Sequence, residues 1–324
     1  MSHRYLITGG AGFIGSNLIR HLLTVDSDAE ATNFDLLTYA GVEATVDELD
    51  QLPRHRFIKG DIREPDQVDE VMRDHDVVIH LAAETHVDRS IGTPTVFADT
   101  NVKGTAVLLE TARRHKVRRF IQVSTDEVYG SIEEGFADEA APLVPSSPYS
   151  AAKAGADLLA LSYHRTFDLP VIVTRCTNNY GPYQFPEKVI PLFVTNLLDG
   201  RRVPLYGNGM NQRDWLHVED HCRALHLLVD HGVPGEIYNI GAGAQMSNID
   251  LTRMILGVFD LDESWIEPVP DRPGHDFRYA VDSGRIRSLG WAPLNALADR
   301  LAETVEWFRQ RRDWWEPLQK VMPQ

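Results

Sequence analysis

The sequence predicts an α/β fold, a doubly wound parallel sheet covered by helices on both faces and followed by a smaller C-terminal lobe. Three observations predict it. Short β-branched runs alternate with longer amphipathic runs through the first half, a glycine-rich turn closes the first run, and beyond Gly181 shorter, proline-punctuated segments replace the alternation. The length of 324 residues exceeds what one hydrophobic core usually serves. Hydrophobic residues at 43% and charged residues at 24% exclude a disordered or low-complexity chain.

Strands are expected over residues 5–8, 31–36, 56–60, 77–82, 120–124 and 171–175, with helices near 13–24, 66–74, 97–115 and 149–167. The period is strand then helix, repeated, as parallel neighbours require. Residues 1–180 are therefore assigned to a dinucleotide-binding domain and 181–324 mainly to a substrate-binding lobe. Segments such as 214–240 are expected to return to the first domain. A last helix over 297–310 carries Leu301, Val305 and Phe308 at helical spacing, and Trp314, Trp315 and Leu318 follow as further packing residues.

Against 32 basic residues stand 47 acidic ones, a net charge of −15 that attracts neither nucleic acid nor an anionic membrane. Cys176 and Cys222 are too few for a disulfide framework or a closed zinc site, so two ordinary thiols, no metal and a reducing cytoplasm are expected. The opening Met-Ser-His-Arg runs straight into a strand pattern without the look of a targeting leader. No apolar run reaches the ~20 residues that cross a bilayer.

After Ile7-Thr8, the run Gly9-Gly10-Ala11-Gly12-Phe13-Ile14-Gly15 opens a helix whose apolar positions Phe13, Ile14, Leu18 and Leu22 recur at helical spacing. Such glycines let the chain turn tightly and bring backbone N–H groups to a pyrophosphate at the positive end of a helix. Asp35 lies 20 residues beyond Gly15, at the end of the second strand, where a carboxylate accepts from the adenosine ribose hydroxyls. It would repel a 2′-phosphate, so NAD is expected rather than NADP. Asp61 and Ile62 close the third strand, placed either to meet the adenine or, for Asp61, to cap the helix near Glu64. These features define a Rossmann-type sheet.

Tyr149 and Lys153 are four apart on a helix that starts after Pro148, hence on one face a turn apart. A phenol is a poor base at neutral pH, and a nearby ammonium together with the positive nicotinamide favours the phenolate. Ser124-Thr125-Asp126-Glu127 ends the intervening strand, at the sheet edge where ligands bind. The adjacent acids are informative. Transfer of hydride alone needs no second acid/base couple, whereas expulsion of water does: Asp126 can protonate a departing hydroxyl and Glu127 can take a proton from the neighbouring carbon.

The glycine run from Thr8 to Gly15, the stretch Leu81 to Ser90, Ser124-Thr125-Asp126-Glu127-Val128-Tyr129-Gly130, and Tyr149 with Lys153 together resemble the extended short-chain dehydrogenase/reductase family. More narrowly they resemble its members that dehydrate dTDP-glucose, with Asn178 to Lys188 and Asp271 to Asp276 adding to the likeness. The resemblance implies C4 oxidation, loss of water across C5 and C6, and hydride return to C6, with NAD kept bound. It also implies Thr125 and Thr85 at the sugar, Asn178 and Arg213 at the diphosphate, and Lys188, Val189, Pro204, Leu205, Tyr206, Asn248, Asp271 and His275 toward the nucleotide end. Phe13, Ile14, Asp35, Asp61, Ile62, Ala82, Ala83, Thr100 and Asn179 would line the cofactor, with Gly9, Gly12, Gly15, Tyr149 and Lys153. A homodimer through the helices near 97–115 and 149–167 is implied too. Val42, where the family usually has Asn, and Leu36, where it commonly has Lys, depart from the pattern. A nucleotide-sugar 4-epimerase, a decarboxylating relative acting on UDP-glucuronate, and a non-catalytic NAD-binding protein are the competing readings.

Overall fold

A computed structural model describes residues 3–271 and 274–320. Six parallel strands, β1 (Arg4–Thr8), β2 (Glu30–Asp35), β3 (His55–Lys59), β4 (Val77–His80), β5 (Arg119–Thr125) and β6 (Val171–Cys176), join Ile237–Ile240 in one seven-stranded sheet. Its order is Ile237–Ile240, β6, β5, β4, β1, β2, β3. The chain thus winds outward from β1 in one direction and from β4 in the other. Between these two strands the winding reverses, and the reversal opens a crevice at their carboxyl ends.

Side-chain alternation explains why the strands are buried on both faces. Tyr5, Ile7, Val77, Ile79, Ile121 and Ile172 pack on one face with Leu18, Ile19 and Leu22 of the helix Phe13–Val25 and Leu225 and Leu228 of the helix Val218–His231. The intervening Leu6, Val78, Phe120 and Val171 turn to the other face, against Val68 and Met72 of Pro65–Met72 and Leu108 of Thr105–His115. A period of two written in apolar residues at every position gives a sheet covered twice.

The stretch expected as one helix over 97–115 is instead a short turn Pro94–Phe97, a π-helical Ala98–Gly104 and an α-helix Thr105–His115. Thr105 Oγ1 donates back to the Asn101 carbonyl at 2.6 Å, occupying an acceptor that the regular helical ladder would use. Sequence periodicity also missed the helices Glu43–Leu49 and Val87–Gly92, which are too short to write a moment.

Apart from this sheet, a second packed region holds a three-stranded sheet, ordered Gln245–Ser247, Gln212–His217, Asn178–Tyr180, and a parallel pair of Val203–Tyr206 with Ile266–Val269. Trp215, Phe193, Ile255, Leu301, Phe308 and Trp315 form its core. The helix Leu297–Gln310 and the tail tryptophans pack as expected: Trp314 Nε1 donates to Thr45 Oγ1 at 2.9 Å and Trp315 Nε1 to the Phe308 carbonyl at 2.6 Å. Val42 is buried in this same core, although it precedes the helix Glu43–Leu49 and offers no side-chain cap. Among the described residues no helix is long and apolar enough to cross a membrane, and no group of three or more His, Cys, Asp or Glu is placed to hold a metal.

Candidate active site

The crevice is a cleft of about 380 Å³. It is lined by Gly9, Gly12, Phe13, Ile14 and Gly15 from the first turn, and by Asp35, Asp61 and Ile62 from the ends of β2 and β3. Ala82, Ala83, Thr85 and Thr100 line its middle, and Thr125, Asp126, Glu127, Tyr149, Lys153, Asn178, Asn179 and Lys188 its other end. The glycine turn has no room for side chains. Gly9 has φ +74°, and a Cβ there would fall 2.6 Å from the Ala82 nitrogen; a Cβ on Gly15 would fall 2.3 Å from the Gly9 carbonyl oxygen. No side chain caps the helix Phe13–Val25, so its first N–H groups are left for a ligand.

Asp35 accepts from the backbone nitrogens of Ala11 at 3.0 Å and Leu37 at 2.8 Å. Burial raises its pKa and these two donors oppose the rise. Asp61 is not a helix cap. Burial pushes its pKa up, but the Arg63 guanidinium, donating to both carboxylate oxygens at 2.6–3.0 Å, outweighs this and holds it low. Arg63 also reaches Asp99 at 2.9 Å and itself lines the cleft, a residue that sequence reasoning missed. Its signal was a lone basic residue two positions after the strand-end acid.

Beneath Ala82 a chain of hydrogen bonds has only one possible polarity. Thr105 spends its proton on the Asn101 carbonyl, so His80 Nε2–H must donate to Thr105 Oγ1 at 3.0 Å. His80 Nδ1 then accepts from the Thr8 hydroxyl at 2.7 Å, and Thr8 Oγ1 accepts from the Ala82 nitrogen at 3.2 Å. Complete burial, reinforced by the charge of Lys153, pushes the His80 pKa down to about 3 and keeps this tautomer neutral. Asn101 clamps the next peptide, accepting from the Glu84 nitrogen at 2.9 Å and donating to the Glu84 carbonyl at 3.0 Å.

The helix Pro148–Phe167 begins with a reciprocal cap: Ser147 Oγ accepts from the Ser150 nitrogen, and Ser150 Oγ from the Ser147 nitrogen, both at 3.1 Å. This fixes the first turn, which carries Tyr149. Lys153 is buried and donates to the Val123 carbonyl at 2.6 Å; burial lowers its pKa. The Tyr149 hydroxyl differs from the sequence expectation. Burial raises its pKa well above the usual phenol value, Glu127, the Cys176 thiol and Asp126 raise it further, and the Thr125 hydroxyl is what opposes them. One N–H of the ammonium that should favour the phenolate is held by a strand carbonyl. Positive charge brought into the cleft would favour the phenolate.

Asp126 is also buried. One oxygen faces the Thr125 hydroxyl at 3.3 Å and the other has no partner among the described residues. Burial, then Glu127, drives its pKa well up, the condition of a proton donor. Glu127 lies beside Tyr279, whose hydroxyl is 3.5 Å from Oε2 and donates to Asp276 at 2.8 Å. Asn178 Oδ1, Thr177 Oγ1 and Gln184 Oε1 are likewise buried without partners among the described residues, and all three residues line the cleft. Unpaired buried acceptors are costly unless a ligand or water meets them.

The remaining expected substrate residues do not line this cleft. Val189 begins the helix Val189–Leu198, and Pro204, Leu205 and Tyr206 lie on Val203–Tyr206. Asn248 starts the helix Asn248–Val258, and Asp271 pairs with His275 at 2.6 Å, near the Tyr206 ring. Arg213 is buried with its guanidinium on the carbonyls of Gln212, Asp276 and Phe277 and 4.1 Å from the centroid of the Tyr279 ring. Arg272 and Pro273 of the same loop motif lie outside the described residues. Lys188 joins the two regions, donating to the Thr85 carbonyl at 3.1 Å. Also unforeseen, Arg89 donates to Glu187 at 2.9 Å and covers the Tyr39 ring at 3.7 Å.

A Rossmann-type sheet carrying this cleft, with the tyrosine and lysine on one helix, defines a member of the extended short-chain dehydrogenase/reductases, and the comparisons with known proteins agree. The chain belongs to the family described as GDP-mannose 4,6 dehydratase, whose model matches residues 6–304. It is 54% identical to dTDP-glucose 4,6-dehydratase of Streptomyces niveus, over 97% of this chain and 95% of that protein. Among solved structures it is similar to DesIV, a dTDP-glucose 4,6-dehydratase from Streptomyces venezuelae with NAD and TYD bound, at a TM-score of 0.95 and 53% identity, covering 97% of this chain and 99% of that one. A UDP-glucose 4-epimerase of Thermus thermophilus in complex with NAD is more distant, with a TM-score of 0.87 and 29% identity over 94% and 99% of the chains.

Proposed function

We propose that this chain is a hydro-lyase that converts dTDP-glucose to dTDP-4-keto-6-deoxyglucose. The observation that carries this reading is the acidic pair Asp126-Glu127 opening onto the same cleft as Tyr149 and Lys153. A 4-epimerase has no step for such a pair, and a C6 carboxylate would be repelled by it.

The cleft fits NAD: the glycine turn leaves no space for a Cβ, an uncapped helix faces it, and Asp35 stands at the ribose end. When bound, NAD supplies reversible two-electron chemistry, borrowing hydride at C4 of the sugar and giving it back at C6. The chain's own groups move the protons. Tyr149 takes the C4 hydroxyl proton once positive charge in the cleft offsets its raised pKa. The C4 ketone acidifies the C5 proton, which Glu127 removes, and a proton returns to C5 as hydride reaches C6. Asp126, protonated by virtue of burial, delivers its proton to the C6 hydroxyl, which leaves as water. Thr125 and Thr85 hold the sugar, Asn178 and Arg213 the diphosphate, and Lys188, Val189, Pro204–Tyr206, Asn248, Asp271 and His275 the nucleotide. Residues 1–180 carry the cofactor and 181–324 mainly the substrate.

The enzyme is assigned to the cytoplasm, and as a homodimer packed through Thr105–His115 and Pro148–Phe167, where Leu158 is 59% exposed. Sedimentation as a monomer at working concentration removes the dimer. The decisive experiment compares dTDP-, UDP- and GDP-glucose, with products identified by mass and NMR. Loss of water from dTDP-glucose is expected. Formation of dTDP-galactose alone, or carbon dioxide released from UDP-glucuronate without any dehydration, refutes the assignment.

A further inference from the structure

Behind the cleft runs a buried polar network that the reaction does not touch. Arg175 and Asp157, with side chains 2% and 0% exposed, pair Nε to Oδ2 at 3.0 Å. Arg175 Nη1 donates to the Tyr129 hydroxyl at 2.9 Å, and its guanidinium lies 4.8 Å from the centroid of that ring. The Tyr129 hydroxyl donates in turn to Asn239 Oδ1 at 2.8 Å. Asn239 Nδ2 completes the chain on the carbonyls of Ala137 and Asp282, at 3.1 and 3.2 Å. A guanidinium only donates and a carboxylate only accepts, so every bond has one direction.

What the network joins is informative. Asp157 lies on Pro148–Phe167, one turn beyond Lys153 and two beyond Tyr149. Tyr129 ends the short 3-10 turn Asp126–Tyr129, which begins with the two acids. Arg175 is on β6 and Asn239 on the returning strand Ile237–Ile240. One guanidinium therefore spans the element that carries the oxidising pair and the element that carries the eliminating pair. A buried ion pair is a poor source of net stability, because desolvation offsets its attraction. Its planar fork is well suited to fixing geometry.

We propose that Tyr129 and Arg175 are positioning residues that hold Asp126 and Glu127 at a set reach from Tyr149 and Lys153, so that elimination follows oxidation on one sugar that does not shift. This rests on the reaction proposed above. Oxidation at C4 needs only the tyrosine and lysine. Elimination needs both acids placed on C5 and C6 of a sugar whose position the first pair has already fixed. The turn beginning at Asp126 is where slack would be felt.

Single-turnover reaction with dTDP-glucose tests this, following the near-ultraviolet absorbance of reduced nicotinamide and quenching for sugar products. Tyr129→Phe removes one hydroxyl and keeps the ring. We expect the rise to stay within about twofold of the parent while the decay slows about tenfold or more, since small misplacements of reacting groups carry such costs. A 4-keto sugar that still bears its C6 hydroxyl then accumulates. Arg175→Lys keeps the charge opposite Asp157 but loses the fork, and gives the same split should the first variant not fold. Rise and decay slowed by one common factor in both variants, or slowed in neither, overturns the proposal. A parent enzyme that forms neither reduced nicotinamide nor dehydrated sugar overturns the reaction itself, independently of the network.

Discussion

Acidification below about pH 6.5 should destabilise this protein, because histidines are sealed inside it uncharged, His80 and His221 most deeply. His80 and His221 are both fully buried, and burial pushes each pKa down to about 3 from an ordinary 6.5. His80 is committed to Thr8 and Thr105, and His221 Nδ1 lies 3.0 Å from Asn179 Oδ1. In the unfolded chain both take up a proton below about pH 6.5, while in the fold neither does until about pH 3. Their stabilisation is therefore complete above pH 6.5 and is lost as pH falls from there toward 3. At pH 5 each histidine gives the unfolded state about 2 kcal/mol, so the pair removes about 4 kcal/mol. That is a large share of the ~5–15 kcal/mol that holds most domains folded. Urea unfolding at pH 7, 6, 5 and 4 measures the loss. His80→Gln keeps a donor for Thr105 and should flatten the dependence by about 1.4 kcal/mol per pH unit between 6 and 4. An unchanged slope in that variant would show that His80 titrates normally in the fold, and would sink the argument.

Tyr149→Phe should abolish turnover while the purified protein still carries NAD, read by its content after denaturation; turnover at the parent rate refutes the assigned base. Gly15→Ala places a methyl against the Gly9 carbonyl and the Gly10 backbone, which must move, so bound NAD should fall below detection in the same assay. Val42→Asn gains a helix cap of about 1 kcal/mol but buries an amide among aromatic residues, where transfer costs ~1–3 kcal/mol. A lower melting temperature with unchanged product is expected, and a rise in melting temperature would contradict this balance.

The parallel sheet was legible because strands buried on both faces must be apolar throughout, and the glycine turn because backbone packing at Gly9 and Gly15 excludes any other residue. The four-residue spacing puts Tyr149 and Lys153 on one helix face, and it was the glycine turn and the polar strand end at Ser124–Glu127 that singled the pair out. Their electrostatics were not legible. Whether Lys153 faces the phenol or the Val123 carbonyl depends on a strand far away in sequence. The orientation of His80 is equally a product of tertiary contact, set by Thr8 and Thr105. Only Asp126 and Glu127, side by side, announced a second chemistry by their adjacency.

The tail closes a buckle over the first lobe. Glu48, on the helix Glu43–Leu49, receives the Tyr183 hydroxyl at 2.6 Å and Arg20 at 3.0 Å and also bonds Arg311, while Trp314 reaches across to Thr45. The Arg20 guanidinium covers the Tyr183 ring at 3.9 Å, and the Trp307 indole lies tilted against that ring at 4.8 Å. The fastening ties the last two helices to Glu43–Leu49 and to Phe13–Val25, the helix that opens at the cleft's glycine turn. An alteration near the C-terminal end can therefore be felt at the helix that opens the cleft, almost the whole chain away in sequence.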